Sequence, residues 1–268
     1  MPTPAMHLAL AEEMLRRSDL SVAARRRLRE QRGPFLLGHT APDVRTVSGQ
    51  KREACHFYTV PRTSDRPAYH LLFDEHPSLR SIDALSSPQI AFMAGYVAHL
   101  LLDELWLDDI FHRFLLQDWG TLGERLFLHN VLRTWMDDRA QEDLDDAVAS
   151  TLREVELRGW LPFVDDEHLR VWRDWLVEQL APDRRMETAA VLAERMDIPA
   201  EEIEAVAQSP EQMQKRIFRH FPRSALASFR QKGYERSIKL VDWYVGGRAR
   251  RVPELALPDL SVCQSIDP

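Results

Sequence analysis

Apolar residues recur along this chain at helical spacing, and almost nowhere at the alternate positions of a strand. Leu8 to Arg17 carries one such stripe. Ser21 stands where a cap for Val22 to Gln31 is expected, and Gly33-Pro34 is expected to end that helix. A short apolar run, Phe35 to Gly38, leads into Thr40-Ala41-Pro42-Asp43. Asp43 to Pro61 reads as loop with irregular turns, and Arg62 to Asp83 as a long polar connection broken by Pro67 and Pro77. Ser87-Pro88 is a helix start, a cap followed by proline at the first position, and the helix it opens runs through Phe114. Further helices are expected at Leu122 to Asp138, Glu142 to Arg158, Asp165 to Leu180, Met186 to Met196, Glu201 to Ala207, Pro210 to Phe218 and Ser224 to Val245. The tail after Arg251, with Pro253 and Pro258, reads as extended. The fold class that follows is all-α.

Composition changes this picture little. The chain has 268 residues, 44% of them hydrophobic, enough for a substantial core. A formal charge of -7 argues against a nucleic-acid surface, and Arg25-Arg26-Arg27 falls in a polar helical stretch that suits a solvated face. Cys55 and Cys263 make no disulfide framework. The apolar run from Ile90 to Trp106 approaches membrane-spanning length. It contains His99, Asp103 and Glu104 and falls short of about 20 clean apolar residues. We therefore expect a buried helix of a soluble, cytoplasmic protein with no membrane span.

His99 and Asp103 are the chemical anomaly in that run. At i and i+4 they share one helix face. A buried carboxylate without a partner is costly, and a divalent metal offsets that cost through imidazole and carboxylate ligation. A plain His–Asp hydrogen bond inside the core is the other reading. Histidines are concentrated in the first half of the chain: His7, His39, His56, His70, His76, His99, His112 and His129. Ligands that converge from separate helices are a usual way to build a metal site in an all-α protein.

The order of these residues resembles a known family. His7 near the start, Leu-Gly-His-Thr-Ala-Pro-Asp43, Cys-His56-Phe and Gly-Tyr-Val-Ala-His99-Leu-Leu-Leu-Asp103 are similar to the bacterial zinc-dependent phospholipase C family, related to the S1/P1 nucleases. The likeness covers residues 4–106. It implies a multi-helix bundle of that type, with a metal-binding core over 1–140. Residues 141–268 would then be additional helices packed on it within the same domain. It further implies a central metal site of Asp43, His56, His99 and Asp103, and Asp103 bridging to a second metal that His7 also binds. A free N-terminal amine completes that second site in the secreted phospholipases. A third site would draw on His112 and His129. Arg133 stands one turn after His129, where the family has a glutamate, and Asp109 is a possible substitute. His39 would be a ligand or a partner of one. The donor set suits zinc, with manganese or iron as alternatives.

What the resemblance implies about activity is hydrolysis of a phosphate ester, a lipid headgroup or small phosphodiester, with Asp43 as general base. The all-α HD phosphohydrolases are a rival class, but they need an adjacent His-Asp dipeptide and this sequence has none. The other reading is not an enzyme: a structural metal ties the N-terminal segment to the Ile90 helix while the C-terminal helices bind a protein. Trp172, Trp175, Trp243 and Tyr244 could serve such a surface, although a stripe at helical spacing is more often core. We expect no catalytic group, and neither His168 nor His220 as a ligand, in the C-terminal helices.

Overall fold

The long apolar helix is the axle of the molecule. In a computed structural model, which describes residues 1–181 and 186–247, Ser87–Trp106 is buried on all sides from Ile90 onward. By length and composition the helical stretch Ser87–Leu115 could cross a membrane, but its apolar window lies wholly inside the fold. Ser86 caps it, its side chain accepting from the Gln89 backbone N–H at 3.4 Å, and Pro88 sits in the first turn.

Every regular element among the described residues is a helix. They run α1 (Pro4–Arg16), α2 (Val22–Glu30), α3 (Arg32–Gly38), α4 (Arg45–Ser48), α5 (Arg52–His56), α6 (Ala68–Glu75), α7 (Ser87–Trp106), α8 (His112–Leu115), α9 (Leu122–Glu142), α10 (Ala147–Arg153), α11 (Asp166–Gln179), α12 (Thr188–Glu194), α13 (Ala200–Ala207), α14 (Pro210–Met213) and α15 (Arg223–Val245). A π turn, Leu107–Phe111, carries α7 into α8, so the helical path reaches past Phe114. The buried apolar residues form one cluster from Ala5 to Val245, with helices of both halves packed on α7. Trp172, Trp243 and Tyr244 are core residues, and Trp175 packs against that core. The Arg248 to Arg251 group, the tail with Pro253 and Pro258, and Cys263 lie outside the described residues.

Four sequence expectations are corrected. Gly33-Pro34 does not end a helix; it lies in the first turn of α3, where a missing N–H has no helical partner to lose. The stretch from Arg62 to Asp83 is not all connection. It holds α6, which buries Tyr69, Leu72 and Phe73 and ends just before Pro77. The segment from Asp43 to Pro61 contains α4 and α5. Among the later elements, Glu142 to Arg158 shortens to α10.

Two glycines set the central helix pair. A Cβ on Gly38 would lie 1.9 Å from the Phe92 carbonyl oxygen, and one on Gly95 would lie 2.3 Å from that of Phe35. Only glycine lets α3 and α7 approach so closely.

Glu104, next to Asp103 but directed elsewhere, accepts from the Ala68 N–H at 3.0 Å, with Arg62 at 3.7 Å. Burial pushes its carboxyl up to about 8 despite Arg62. The folded state therefore keeps a proton that the unfolded chain releases above about 4.5, and stability falls as pH rises from about 4.5 to 8. Glu104→Gln keeps the acceptor and cannot ionise. Urea midpoints should show that the variant gains on the wild type by about 2–4 kcal/mol between pH 5 and pH 8. Parallel pH profiles would mean that Glu104 is charged in the fold.

Candidate metal centre

Four separate segments deliver the cluster. His7 comes from α1, Asp43 from the 3-10 turn Ala41–Val44, His56 from the end of α5, and His99 and Asp103 from α7. The turn at Asp43 has Pro42 as its second residue, and the Asp43 N–H donates to the Thr40 carbonyl at 3.0 Å. The Tyr96 hydroxyl, one helical turn before His99, donates to the Cys55 carbonyl and ties α5 to α7.

Neighbouring donor atoms stand 3.5–3.7 Å apart. His56 Nε2 lies 3.5 Å from Asp43 Oδ1 and 3.5 Å from Asp103 Oδ2. His99 Nε2 lies 3.7 Å from Asp103 Oδ2, and His7 Nε2 lies 3.5 Å from Asp103 Oδ1. Tetrahedral ligands at about 2.1 Å from an ion would be about 3.4 Å from one another. Two groups of donors could each hold an ion: His7, His99 and Asp103, and Asp43, His56 and His99.

These are not two full sites. His99 Nδ1 is 2.8 Å from the His39 carbonyl, which makes it the protonated nitrogen and leaves Nε2 as the one free donor. Both groups need that same nitrogen, so only one of them can be filled at a time. The rings of His7 and His99 stack at 3.8 Å.

Burial and charge fix the protonation state. His7, His56 and His99 are fully buried and Asp103 is 1% exposed, while Asp43 is one-fifth exposed. Burial holds His99 down to about 3, with His7 adding to the effect, and burial likewise lowers His39 and His56. Burial also opposes ionisation of Asp103, but His99, His7 and the Arg52 guanidinium outweigh it and keep its carboxyl well below the usual range. Asp43 is held low by His56 and His99 against the same penalty. Neutral imidazoles beside ionised carboxylates are the state a divalent cation binds.

The imidazole donors and one Asp103 oxygen lack hydrogen-bond partners. Both ring nitrogens of His7, His39 and His56, Nε2 of His99 and Oδ1 of Asp103 are buried without a hydrogen bond. Each such group costs about 1–3 kcal/mol. The donor types, spacing and unmet bonding together fit a divalent ion.

Arginines surround the cluster, a feature that sequence spacing gave little sign of. Arg52 donates to Asp103 Oδ2 at 2.6 Å and to the Tyr58 hydroxyl, which itself donates to Oδ2 at 3.2 Å. Arg133 Nε donates to the Met1 carbonyl at 2.7 Å and its Nη1 to Asn130 Oδ1 at 3.3 Å. Burial and the nearby Arg195 lower Arg133 to about 10. Arg45, Arg52, Arg133 and Arg195 line a cavity of about 230 Å³ that Asp43 also faces.

The remaining candidates stand elsewhere. His129 Nε2 accepts from the Trp106 indole N–H at 3.1 Å, and the ring is boxed by Phe111 and Phe114. His112 Nδ1 lies 3.8 Å from Asp108, and Asp109 is gripped by Lys232 at 2.7 Å and 2.9 Å. An outer site built on His112, His129 and Asp109 is therefore not assembled. His39 contributes its carbonyl rather than its ring to His99. His220 stacks on Trp119, and His168 joins neither donor group. The C-terminal helices nevertheless wall the cavity with Trp172, Trp175 and Leu192. No family model, curated protein or solved structure matches this chain.

Proposed function

We propose that the protein is a metal-dependent phosphoric-ester hydrolase, with Asp43, His56, His99 and Asp103 holding one divalent ion, zinc in first place. The observation that carries this reading is that His56 Nε2 stands 3.5 Å from both Asp43 Oδ1 and Asp103 Oδ2, with His99 Nε2 3.7 Å from the latter, and that both imidazole nitrogens are buried without a hydrogen bond. Two imidazoles and two carboxylates suit zinc, and manganese or iron less well. A bound ion would lower the pKa of a water to about 7 and stabilise charge on phosphoryl oxygens. The chain supplies the rest. The His39 carbonyl fixes the tautomer and ring plane of His99. Arg52 and Tyr58 orient Asp103. Asp43 is the donor residue that faces the cavity, and its carboxylate is the candidate general base.

A second reading has one observation in its favour. Four protein donors, all but Asp43 fully buried, resemble a closed structural site more than an open catalytic one. Elemental analysis and activity separate the two. The purified protein supplied with zinc or manganese should retain about one equivalent and hydrolyse a chromogenic phosphodiester or phosphomonoester, and a chelator should abolish turnover. Full metal content with no hydrolysis of lipid, nucleotide and small esters would leave the ion a structural role.

A further inference from the structure

The cavity beside Asp43 has an uneven charge. Four guanidiniums line it, from Arg45, Arg52, Arg133 and Arg195, against a single carboxylate, Asp43. Asp43 already faces His56, and Arg52 is committed to Asp103 and Tyr58. Arg133 bonds only neutral acceptors, the Met1 carbonyl and the Asn130 amide, and is opposed by Arg195. Arg45 Nε is buried without a hydrogen bond. Like charges drawn from four parts of the chain into one concavity are unfavourable unless an anion joins them.

We infer that this cavity seats a dianionic phosphate monoester, its phosphoryl oxygens on Arg45, Arg133 and Arg195 and its carbon body against Trp175 and Leu192. The inference rests on the hydrolase reading for the role of the adjacent metal centre, but not for the binding itself. Guanidinium forks pair with phosphoryl oxygens in bidentate fashion. A monoester offers three such oxygens and about two charges. A diester offers one charge and two free oxygens, and leaves part of the excess unmatched. The lining also carries apolar and aromatic groups, with Trp172 and Trp175 stacked at 5.0 Å. The volume, about 230 Å³, lies below the roughly 300–1,000 Å³ of drug-sized sites. It suits a small ester and excludes a two-chain lipid or a run of nucleotides from full burial.

Calorimetric titration of the full chain with phenyl phosphate and with methyl phenyl phosphate tests this, both after chelator treatment and after zinc loading. Phenyl phosphate is expected to bind at least about tenfold more tightly than the diester in both states, a difference of about 1.4 kcal/mol. Arg195→Gln, on the rim, and Arg45→Gln should each weaken phenyl phosphate binding about tenfold at an unchanged thermal midpoint. Equal affinity for the two esters, or affinity unmoved by both substitutions, would overturn the inference. Monoester binding by a protein that retains no zinc would keep it and remove the hydrolase reading. Zinc-dependent hydrolysis with no preference for the monoester would do the reverse.

Discussion

His99→Ala is expected to lower zinc affinity by more than about 100-fold, because even an outer partner of a ligand is worth about 10–100-fold. The reason is specific to this ring. Its Nε2 is the donor shared by both possible sets, so no rearrangement among His7, His56, Asp43 and Asp103 replaces it. Stability should report the same loss. Zinc at about 1,000 times its dissociation constant adds about 4 kcal/mol to the folded state of the wild type. After a 100-fold loss the same zinc adds no more than about 1.4 kcal/mol, so denaturant midpoints with zinc and with chelator should draw close together in the variant. His220→Ala, whose ring stacks on Trp119, is the matched control and should keep both zinc and increment. A His99→Ala protein that still carries one zinc would place the ion somewhere else.

The second large effect concerns packing. Gly95→Ala is expected to cost at least about 3 kcal/mol, or to give no folded protein, since its new Cβ meets the Phe35 carbonyl oxygen at 2.3 Å and the His39 backbone nitrogen at 2.7 Å. Both obstacles are main-chain atoms and cannot rotate away. Any protein that does fold should also bind zinc poorly, because spreading α3 from α7 pulls the His39 carbonyl from His99. Gly123→Ala is the contrast. It lies in α9 with nothing nearer than 3.9 Å to its Cβ, and it should gain roughly 0.5–1 kcal/mol from helix propensity. Urea denaturation of the two variants measures the difference. Similar stability for both would mean that α3 and α7 are not held at this distance.

Legibility in the sequence followed how local the cause was. The start of α7 could be read because Ser86, Ser87 and Pro88 act on their own backbone and the apolar run follows at once. His99 and Asp103 stood out because their cost in an apolar helix is a one-dimensional fact. Helix α6 was hidden because Pro67 and Pro77 look like breakers of a loop, whereas they bracket eight residues that bury Tyr69 and Phe73. Helix α3 was hidden because Gly33-Pro34 punctuates equally well at a first turn and after a last one. His112 and His129 have the right type but not the right surroundings, and only three dimensions show the Trp106 indole on one and Asp108 beside the other. The arginine cavity was least legible. Arg45 and Arg195 are 150 positions apart, and nothing in either stretch signals the other.

The cluster has one side that solvent reaches, the side of Asp43, and that side is walled by guanidiniums. A free dication must cross a positive field to arrive, and one that leaves must cross it outward. Such a barrier slows both directions without altering the equilibrium between them. The consequence is kinetic: an ion held there would be expected to exchange slowly on a finished molecule, and faster as salt or a bound anion screens the mouth. Loading is then easiest during folding, while α11 and α12 have not yet closed over the turn that carries Asp43. How fast the centre takes up its ion would depend on when the metal meets the chain.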